Sequence, residues 1–313
     1  GRPHLLMAAS LLRVLSFSLV LTLASAGCGV PGEKGQATVV TETVTTVTGG
    51  PAQGGVDVPA ASADALSAPT AASPASPVPF SVPPEYLNAV VSGTPGPAGL
   101  AVAPVGGAEQ VVAAGSWQAG VAWSTIKIPL AVAVARSDPQ ALEMSTSAVT
   151  VSDNQAAESL WATLGGGDEA ASAVEAVLAE GGDTVSDVPS VHTRAGYSVF
   201  GQTRWSLVDQ ARFMSSMPCL DGAGRVVDLM GQITPGQQWG LGRIPGARFK
   251  GGWGPGETGG YLVRQFGLVP GGGGDVAVAL AVEAPTFEAG TTALTSMADE
   301  LAQGLAAMPG GRC

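Results

Sequence analysis

The sequence predicts an α/β (α+β) three-layer sandwich, in which helices cover both faces of an antiparallel sheet and a reduced all-helical subdomain lies at one edge. Two observations support this prediction. Strand-like segments form two groups, one pair early and three near the C-terminus, with a long helical region between them. The late strands alternate with glycine-rich turns, as antiparallel hairpins do. One sheet that is split in sequence around a helical insertion explains both features.

The domain opens with a short helix and two strands. Pro84 favours a helix start, because proline fits the first helical position, and a glycine pair predicts the turn between the strands. A new short element starts at Asp138 and runs into residues 149–154. The elements expected in this half are a helix at 84–91, strands at 99–105 and 110–114, and a helix that begins near Ser124.

Glycines mark the ends of the next two helices, which we place at 155–164 and 169–180. Residues 183–203 have no regular pattern. The elements expected after them are a helix at 205–217 with Ser206 as its cap, strands at 249–253, 261–269 and 275–283, and a final amphipathic helix at 291–308.

The composition is that of a folded, acidic protein. Of the 313 residues, 45% are hydrophobic and 12% are charged, which supports a substantial core. The formal net charge is −11 at pH 7, and no cluster of Lys and Arg occurs, so nucleic acid is excluded as a partner. We expect no cofactor, no metal and a monomeric protein.

Residues 1–28 predict an export signal, because an arginine precedes an apolar run at 14–23 and small residues follow it. The end of the signal has two interpretations. The segment from Ser25 to Cys28 resembles a bacterial lipobox, in which Cys28 would be lipidated, whereas residues 24–26 form an A-x-A site for ordinary secretion. We expect an exported protein at the outer face of the bacterial cytoplasmic membrane, anchored by lipid at Cys28, or a secreted one.

A tether separates this signal from the domain. Residues 29–82 consist mainly of Gly, Ala, Pro, Ser, Thr and Val, a composition that favours an extended and flexible chain. The folded domain is expected to occupy residues 83–313.

The chain has 3 cysteines. If Cys28 carries lipid, Cys219 and Cys313 remain as an even pair in an oxidising compartment. A disulfide between them would tie down a glycine-containing end that otherwise frays. The alternative is two free thiols.

Ser124 and Lys127 lie three residues apart and therefore share one helix face. A neighbouring amine can take the proton of a serine hydroxyl if burial or a second cation lowers the pKa of that amine. Lysine is rare in this chain, whose three lysines are Lys34, Lys127 and Lys250. A lysine inside an apolar segment therefore indicates a function, although a serine cap followed by a snorkelling lysine would look the same.

Two more motifs follow in order, Ser152-Asp153-Asn154 and Lys250-Gly251-Gly252. Alone, the first is typical of a helix-capping turn and the second of a strand that enters a glycine turn. Together with the Ser124-x-x-Lys127 motif they resemble the penicillin-recognising serine hydrolases, most closely the class A β-lactamase-like branch, over residues 83–308. The preference for Ala, Gly and Arg suggests a GC-rich genome, which would suit an actinobacterial-type envelope lipoprotein.

The resemblance implies a role for each matching residue. Ser124 would be the nucleophile that is acylated, and Lys127 would help to deprotonate it. Ser152 would relay the proton to the leaving nitrogen, and Asn154 would hold the substrate amide. Lys250 would supply positive charge toward a substrate carboxylate.

The resemblance also places Gly252 and Trp253 in the substrate-binding strand. The backbone N–H groups of Ser124 and Trp253 would form the oxyanion hole. Lys127 and Lys250, if they share one cleft, would each lower the pKa of the other.

The chain departs from the family pattern in three ways. Ser124 and Ser152 are 152 − 124 = 28 residues apart, so the helical subdomain must be short and the cleft open. The third motif has Gly251 where the family has Thr or Ser, whose hydroxyl helps to hold a substrate carboxylate. The irregular segment at 183–203 lacks the glutamate that activates the deacylating water.

Other residues of that region are candidates for the missing water-activating base. Asp187 lies nearest to the expected place, with Asp183 before it, and His192 is a second candidate base. Arg194 and Arg204 would order the segment or meet an anionic substrate, or would simply lie on the surface.

Two functions therefore remain open. The first is an exported serine hydrolase that forms an acyl-enzyme on amide substrates, with peptidoglycan stem peptides as candidates and slow turnover of β-lactams. The second is a catalytically silent lipoprotein that binds a cell-wall component or a partner protein.

Overall fold

A computed structural model describes residues 79–313 of the chain, and the predicted signal, Cys28 and almost all of the tether lie outside the described residues. None of the helices within this range is both long enough and apolar enough to cross a bilayer. The strands are β1 (Ala98–Pro104), β2 (Val112–Gly115), β3 (Ala119–Val121), β4 (Arg204–Ser206), β5 (Arg248–Pro255), β6 (Tyr261–Gly271) and β7 (Gly274–Ala284). The helices are α1 (Pro84–Val90), α2 (Lys127–Ser137), α3 (Leu142–Thr150), α4 (Asn154–Thr163), α5 (Gly167–Glu180), α6 (Leu207–Ser216), α7 (Ala223–Met230) and α8 (Phe287–Gly304).

The two groups of strands join in one antiparallel sheet of five strands, in the order β2-β1-β7-β6-β5. The early strand β1 pairs with the late strand β7, with Leu100 opposite Leu280. Strand β5 pairs with β6, with Lys250 opposite Phe266, and forms an edge of the sheet. The third motif therefore lies on a strand with one free side.

Helices cover both faces of this sheet. Val263 and Arg264 are adjacent in β6, so their side chains point to opposite faces. Arg264 donates a hydrogen bond to Gln210 of α6 at 2.8 Å. Val263 lies against Gly290 of α8, where an added Cβ would come within 2.4 Å of it. The predicted three-layer sandwich is thus confirmed.

The chain also forms a second, smaller sheet that its sequence did not predict. Strands β3 and β4 pair, with Gly120 opposite Trp205, so residues 204–206 are a strand and not the start of a helix. The buried Arg264 guanidinium joins this pair to the main sheet through the carbonyl groups of Gly120 (3.0 Å) and Trp205 (3.1 Å). Helix α6 then starts at Leu207, and the hydroxyl of Ser206 caps it as expected, accepting from the Asp209 N–H at 3.0 Å.

Two other boundaries and one helix also differ from expectation. The last helix begins at Phe287, four residues before the predicted start, because the Thr286 hydroxyl accepts the N–H of Ala289 at 3.1 Å and caps it. Helix α7 was not predicted, although its apolar side chains are buried. Strand β2 begins at Val112, because a 3-10 turn occupies 108–110.

Cys219 and Cys313 form a disulfide, with their Cα atoms 5.3 Å apart. Contrary to expectation, the C-terminal segment also packs by its backbone. Gly311 exchanges two hydrogen bonds with Asp275, at 2.8 and 2.9 Å, at the start of β7. A Cβ on Gly311 would approach the Val105 carbonyl oxygen to 1.9 Å, so this contact requires glycine.

Candidate active site

Ser124 lies on a strained turn. A 3-10 helix at Trp123–Ile126 precedes α2, so the regular helix begins at Lys127 and not near Ser124. Trp123 has a φ of 51°, in the left-handed region that is costly for a side chain of this size. The other non-glycine residue of the described chain with positive φ is Ser152, at 61°. Both strained positions lie in or beside a predicted motif, which is typical of functional sites.

Strand β5 packs directly against the Ser124 turn. A Cβ on Gly252 would lie 2.9 Å from the backbone nitrogen of Ser124 and 2.9 Å from the carbonyl oxygen of Ala122. A Cβ on Gly254 would overlap the Trp123 ring at 2.3 Å. Gly252 and Gly254 therefore allow β5 to approach the Ser124 turn more closely than a residue with a Cβ atom would permit.

The Ser152-Asp153-Asn154 motif combines a structural and a site contribution. Asp153 is the N-cap of α4 and accepts the N–H of Ala156 at 3.0 Å, as the capping interpretation predicted. This cap fixes the turn, and the turn places Ser152 and Asn154 beside Lys127.

Lys127 is buried, and its ammonium group donates to acceptors of that turn. Its Nζ lies 2.7 Å from the Ser152 carbonyl oxygen and 2.8 Å from Asn154 Oδ1. Because lysine only donates, the Asn154 oxygen must face Lys127, and the amide NH₂ is left for the cavity. Burial lowers the pKa of Lys127 to about 8, against the opposing effect of Asp153. Among the described residues, no hydrogen bond joins Lys127 to the Ser124 hydroxyl, since its donors serve the turn.

Lys250 reaches the same serine from the sheet. Its Nζ donates to Ser152 Oγ at 2.9 Å and to the Gly251 carbonyl oxygen at 2.9 Å, while Lys127 Nζ lies 3.4 Å from Ser152 Oγ. Burial, followed by the charge of Lys127, lowers the pKa of Lys250 well below its ordinary value. A hydroxyl has two acceptor sites and one proton. Two lysines occupy the acceptor sites of Ser152, so its proton is free to point into the cavity.

A cavity of about 440 Å³ joins the first two motifs to the irregular segment. Ser124, Lys127, Ser152 and Asn154 line it, whereas Lys250 acts from behind Ser152. The residues that line it are Trp123, Ser124, Lys127, Ser152, Asn154, Glu158, His192, Gly196, Tyr197, Ser198 and Trp253.

The irregular segment contributes a histidine to this cavity and not a carboxylate. Asp183 is buried and accepts the N–H groups of two following residues, and Asp187 is exposed; neither lines the cavity. His192 does line it, and its Nδ1 lies 3.1 Å from the Tyr197 carbonyl oxygen. A carbonyl only accepts, so Nδ1 is the donor of this hydrogen bond, and in the matching neutral tautomer the lone pair is at Nε2.

Arg194 holds the segment against the site. Its guanidinium lies over the rings of Tyr197 (4.6 Å) and Trp123 (5.6 Å) and donates to the Pro255 carbonyl oxygen at 3.1 Å. Arg204 instead forms an exposed ion pair with Glu257 at 3.2 Å.

Aromatic rings cover the strand at Gly251. A Cβ on Gly251 would lie 3.0 Å from the Trp239 ring, so this ring occupies the space of a side chain. Trp239 and Trp253 meet edge to face at 5.9 Å, and Phe287 contacts both. The absence of a hydroxyl at position 251 is therefore built into the packing.

Sequence reasoning missed two kinds of residue at this site. Glu158 lies one helical turn after Asn154, so the i, i+4 spacing within α4 could have indicated it. Tyr197, Ser198 and Trp239 carried no signal, because loop packing brings them to the site. Within residues 79–313, no group of three or more His, Cys, Asp or Glu side chains is arranged to hold a metal ion.

No family model and no curated protein sequence matches this chain. Solved structures do. An ancestral class A β-lactamase matches with a TM-score of 0.54 at 19% identity, covering 71% of this chain and 99% of that one. The β-lactamase of Sphaerobacter thermophilus gives 0.56 at 19% identity, with coverages of 73% and 100%. PBP-A gives 0.53 at 20% identity, with coverages of 70% and 94%. The chain therefore has the β-lactamase/penicillin-recognising fold.

Proposed function

We propose that this protein is an exported serine hydrolase that forms an acyl-enzyme at Ser124 and acts on amide bonds, with poor turnover of β-lactams. The observation that carries the proposal is the Ser152 hydroxyl, which two buried lysines hold beside Ser124 in one cavity. Burial of two lysines is costly. A chain whose other lysine is Lys34 would not retain both here for packing alone.

The geometry supports a definite order of steps. Lys127 in its neutral form takes the proton of Ser124, whose Oγ attacks the substrate carbonyl. The N–H groups of Ser124 and Trp253 stabilise the oxyanion, and the Asn154 amide binds the acyl side of the substrate. Ser152 passes its free proton to the leaving nitrogen and recovers one from the lysines.

Deacylation would be the slow step. The irregular segment at 183–203 contributes His192 to the cavity lining and contributes no carboxylate. A solvent-exposed imidazole at this position would activate water less well than a carboxylate fixed against the acyl group. We therefore expect a long-lived adduct with β-lactams.

The proposed location is the outer face of the cytoplasmic membrane, with Cys28 lipidated. This assignment rests on the sequence of residues 1–28 alone. Peptide amides of the cell wall are the proposed physiological substrates.

The test is intact-mass measurement after incubation with a penicillin, a cephalosporin and a fluorophosphonate. We expect an adduct on the parent chain and none on the Ser124→Ala variant. If none of the three reagents adds mass to the parent, the proposal is wrong.

A second candidate function is a silent binding protein. The absence of a hydrogen bond between Ser124 and Lys127 in the described structure favours it, as does the Trp239 ring over Gly251. Under this alternative, cell-wall fragments would bind in the cavity without a mass adduct.

A further inference from the structure

The charged groups of the cavity disfavour the binding of an anionic substrate. Among the described residues that line it, Glu158 is the one carboxylate, and Lys127 is the one lysine or arginine. Lys127 is buried and directs its N–H groups toward Ser152 and Asn154. Its charge is therefore already compensated by protein acceptors.

Lys250 is even less available than Lys127 to bind a substrate anion. Lys250 does not line the cavity, and its two acceptors, Ser152 Oγ and the Gly251 carbonyl oxygen, satisfy the two N–H groups of a neutral amine. Burial also lowers the pKa of Lys250. Arg194 is held by an aromatic ring and a carbonyl group and is absent from the lining.

The side chains of the strand that faces the substrate offer aromatic surface in place of a hydroxyl donor. Trp253 lines the cavity, and the rings of Trp239 and Phe287 support it at 5.9 and 5.3 Å. The Trp239 ring also fills the space beside Gly251 where a hydroxyl side chain would stand. A flat or apolar substrate group can pack on such a surface without losing hydrogen bonds.

We propose, on the basis of the function proposed above, that this site prefers a neutral acyl donor, an ester or amide that carries an apolar group against Trp253 and no carboxylate beside the scissile bond, and that it acylates more slowly with anionic donors such as β-lactams. A free carboxylate would share this cavity with the Glu158 carboxylate and the Trp253 ring, and no lysine or arginine of the described lining is free of protein acceptors. The net charge of −11 adds a long-range field that disfavours anions.

The reaction with such a donor balances without a further reactant. With a phenyl ester as the donor, Ser124 Oγ forms a bond to the carbonyl carbon, and the bond from that carbon to the phenol oxygen breaks. The proton of Ser124 passes to Lys127, Ser152 gives its proton to the departing phenolate, and Lys127 returns a proton to Ser152. The products are the Ser124 ester and the free phenol.

The test uses two esters of one acyl group that differ in a single charge. One has phenol as its leaving group, and the other has 3-hydroxybenzoate, which adds a carboxylate. Acylation rates of the intact chain are measured by mass and by phenol release. We expect the neutral ester to react at least tenfold faster, after correction for the ratio of the two uncatalysed rates.

Glu158→Gln supplies a matched variant, because it removes the charge and keeps the size. In this variant, the ratio of the acylation rate of the neutral ester to that of the carboxylated ester should be at least threefold smaller than in the parent. Equal or faster reaction of the carboxylated ester would overturn the inference, while its adduct on Ser124 would still support the hydrolase. No adduct from either ester or from a fluorophosphonate would overturn both.

Discussion

The strongest prediction concerns the protonation of Lys127. Burial lowers the pKa of this amine to about 8 from 10.5, although Asp153 and Glu158 oppose the shift. At pH 7 the neutral fraction is then about one tenth, compared with about one in three thousand for an ordinary lysine. If the neutral amine activates Ser124, acylation should rise about tenfold per pH unit below pH 8 and level off above it.

The perturbation is Lys127→Arg, which keeps the positive charge but cannot lose a proton near neutral pH. We expect acylation of Ser124 to fall by about 10²- to 10⁴-fold, which is the usual contribution of a general base. Pseudo-first-order acylation by excess ester, followed by intact mass between pH 6 and 9.5, measures both effects. Lys34→Arg, which makes the same change in the predicted tether, is the matched control.

Two further outcomes make this test decisive. Glu158→Gln removes a group that raises the pKa of Lys127, so its profile should shift to lower pH. The reasoning is refuted if acylation is flat between pH 6 and 9, or if the Lys127→Arg variant, shown to be folded by circular dichroism, reacts like the parent.

Four other predictions follow from the structure. The folded chain releases the Lys127 proton near pH 8, and the unfolded chain releases it near 10.5. The free energy of unfolding of the parent, measured by urea denaturation, should therefore rise by about 3 kcal/mol more than that of Lys127→Met between these pH values. An equal pH dependence of the two chains would contradict this. His192→Gln removes the Nε2 lone pair and should prolong the lifetime of the acyl adduct at least tenfold, and an unchanged lifetime would exclude this base. Gly252→Ala forces a Cβ to within 2.9 Å of backbone atoms, so Tm should fall, at a cost of about 2 kcal/mol, and acylation should be lost; the control is Gly236→Ala, which meets nothing within 4 Å. Cys219→Ser opens a link across 94 positions and should cost about 4 kcal/mol in urea denaturation, an effect that a reductant should reproduce in the parent but not in the variant.

The order of the elements and the three motifs were readable from the sequence because both depend on local patterns. Strand alternation, glycine turns and capping residues act over a few positions, and they predicted most helices and the five strands of the main sheet. Elements that are stabilised by residues far away in the sequence were not predicted. Strands β3 and β4 have three residues each and exist because they pair with each other and accept hydrogen bonds from Arg264.

The site divides in the same way. The residue types of the Ser124 turn and of the capped Ser152 turn could be read from the sequence, since spacing and capping are properties of adjacent residues. The sequence also determined the charge balance and the scarcity of lysine.

The contacts that those residues make depend on the tertiary structure. Lys250 reaches Ser152 across 98 positions because β5 is the edge strand beside the Ser124 turn. The same packing brings His192 and Glu158 into one cavity and lays the Trp239 ring over Gly251. Contacts of this kind depend on how the sheet and its covering helices pack, and no local pattern in the chain encodes that packing.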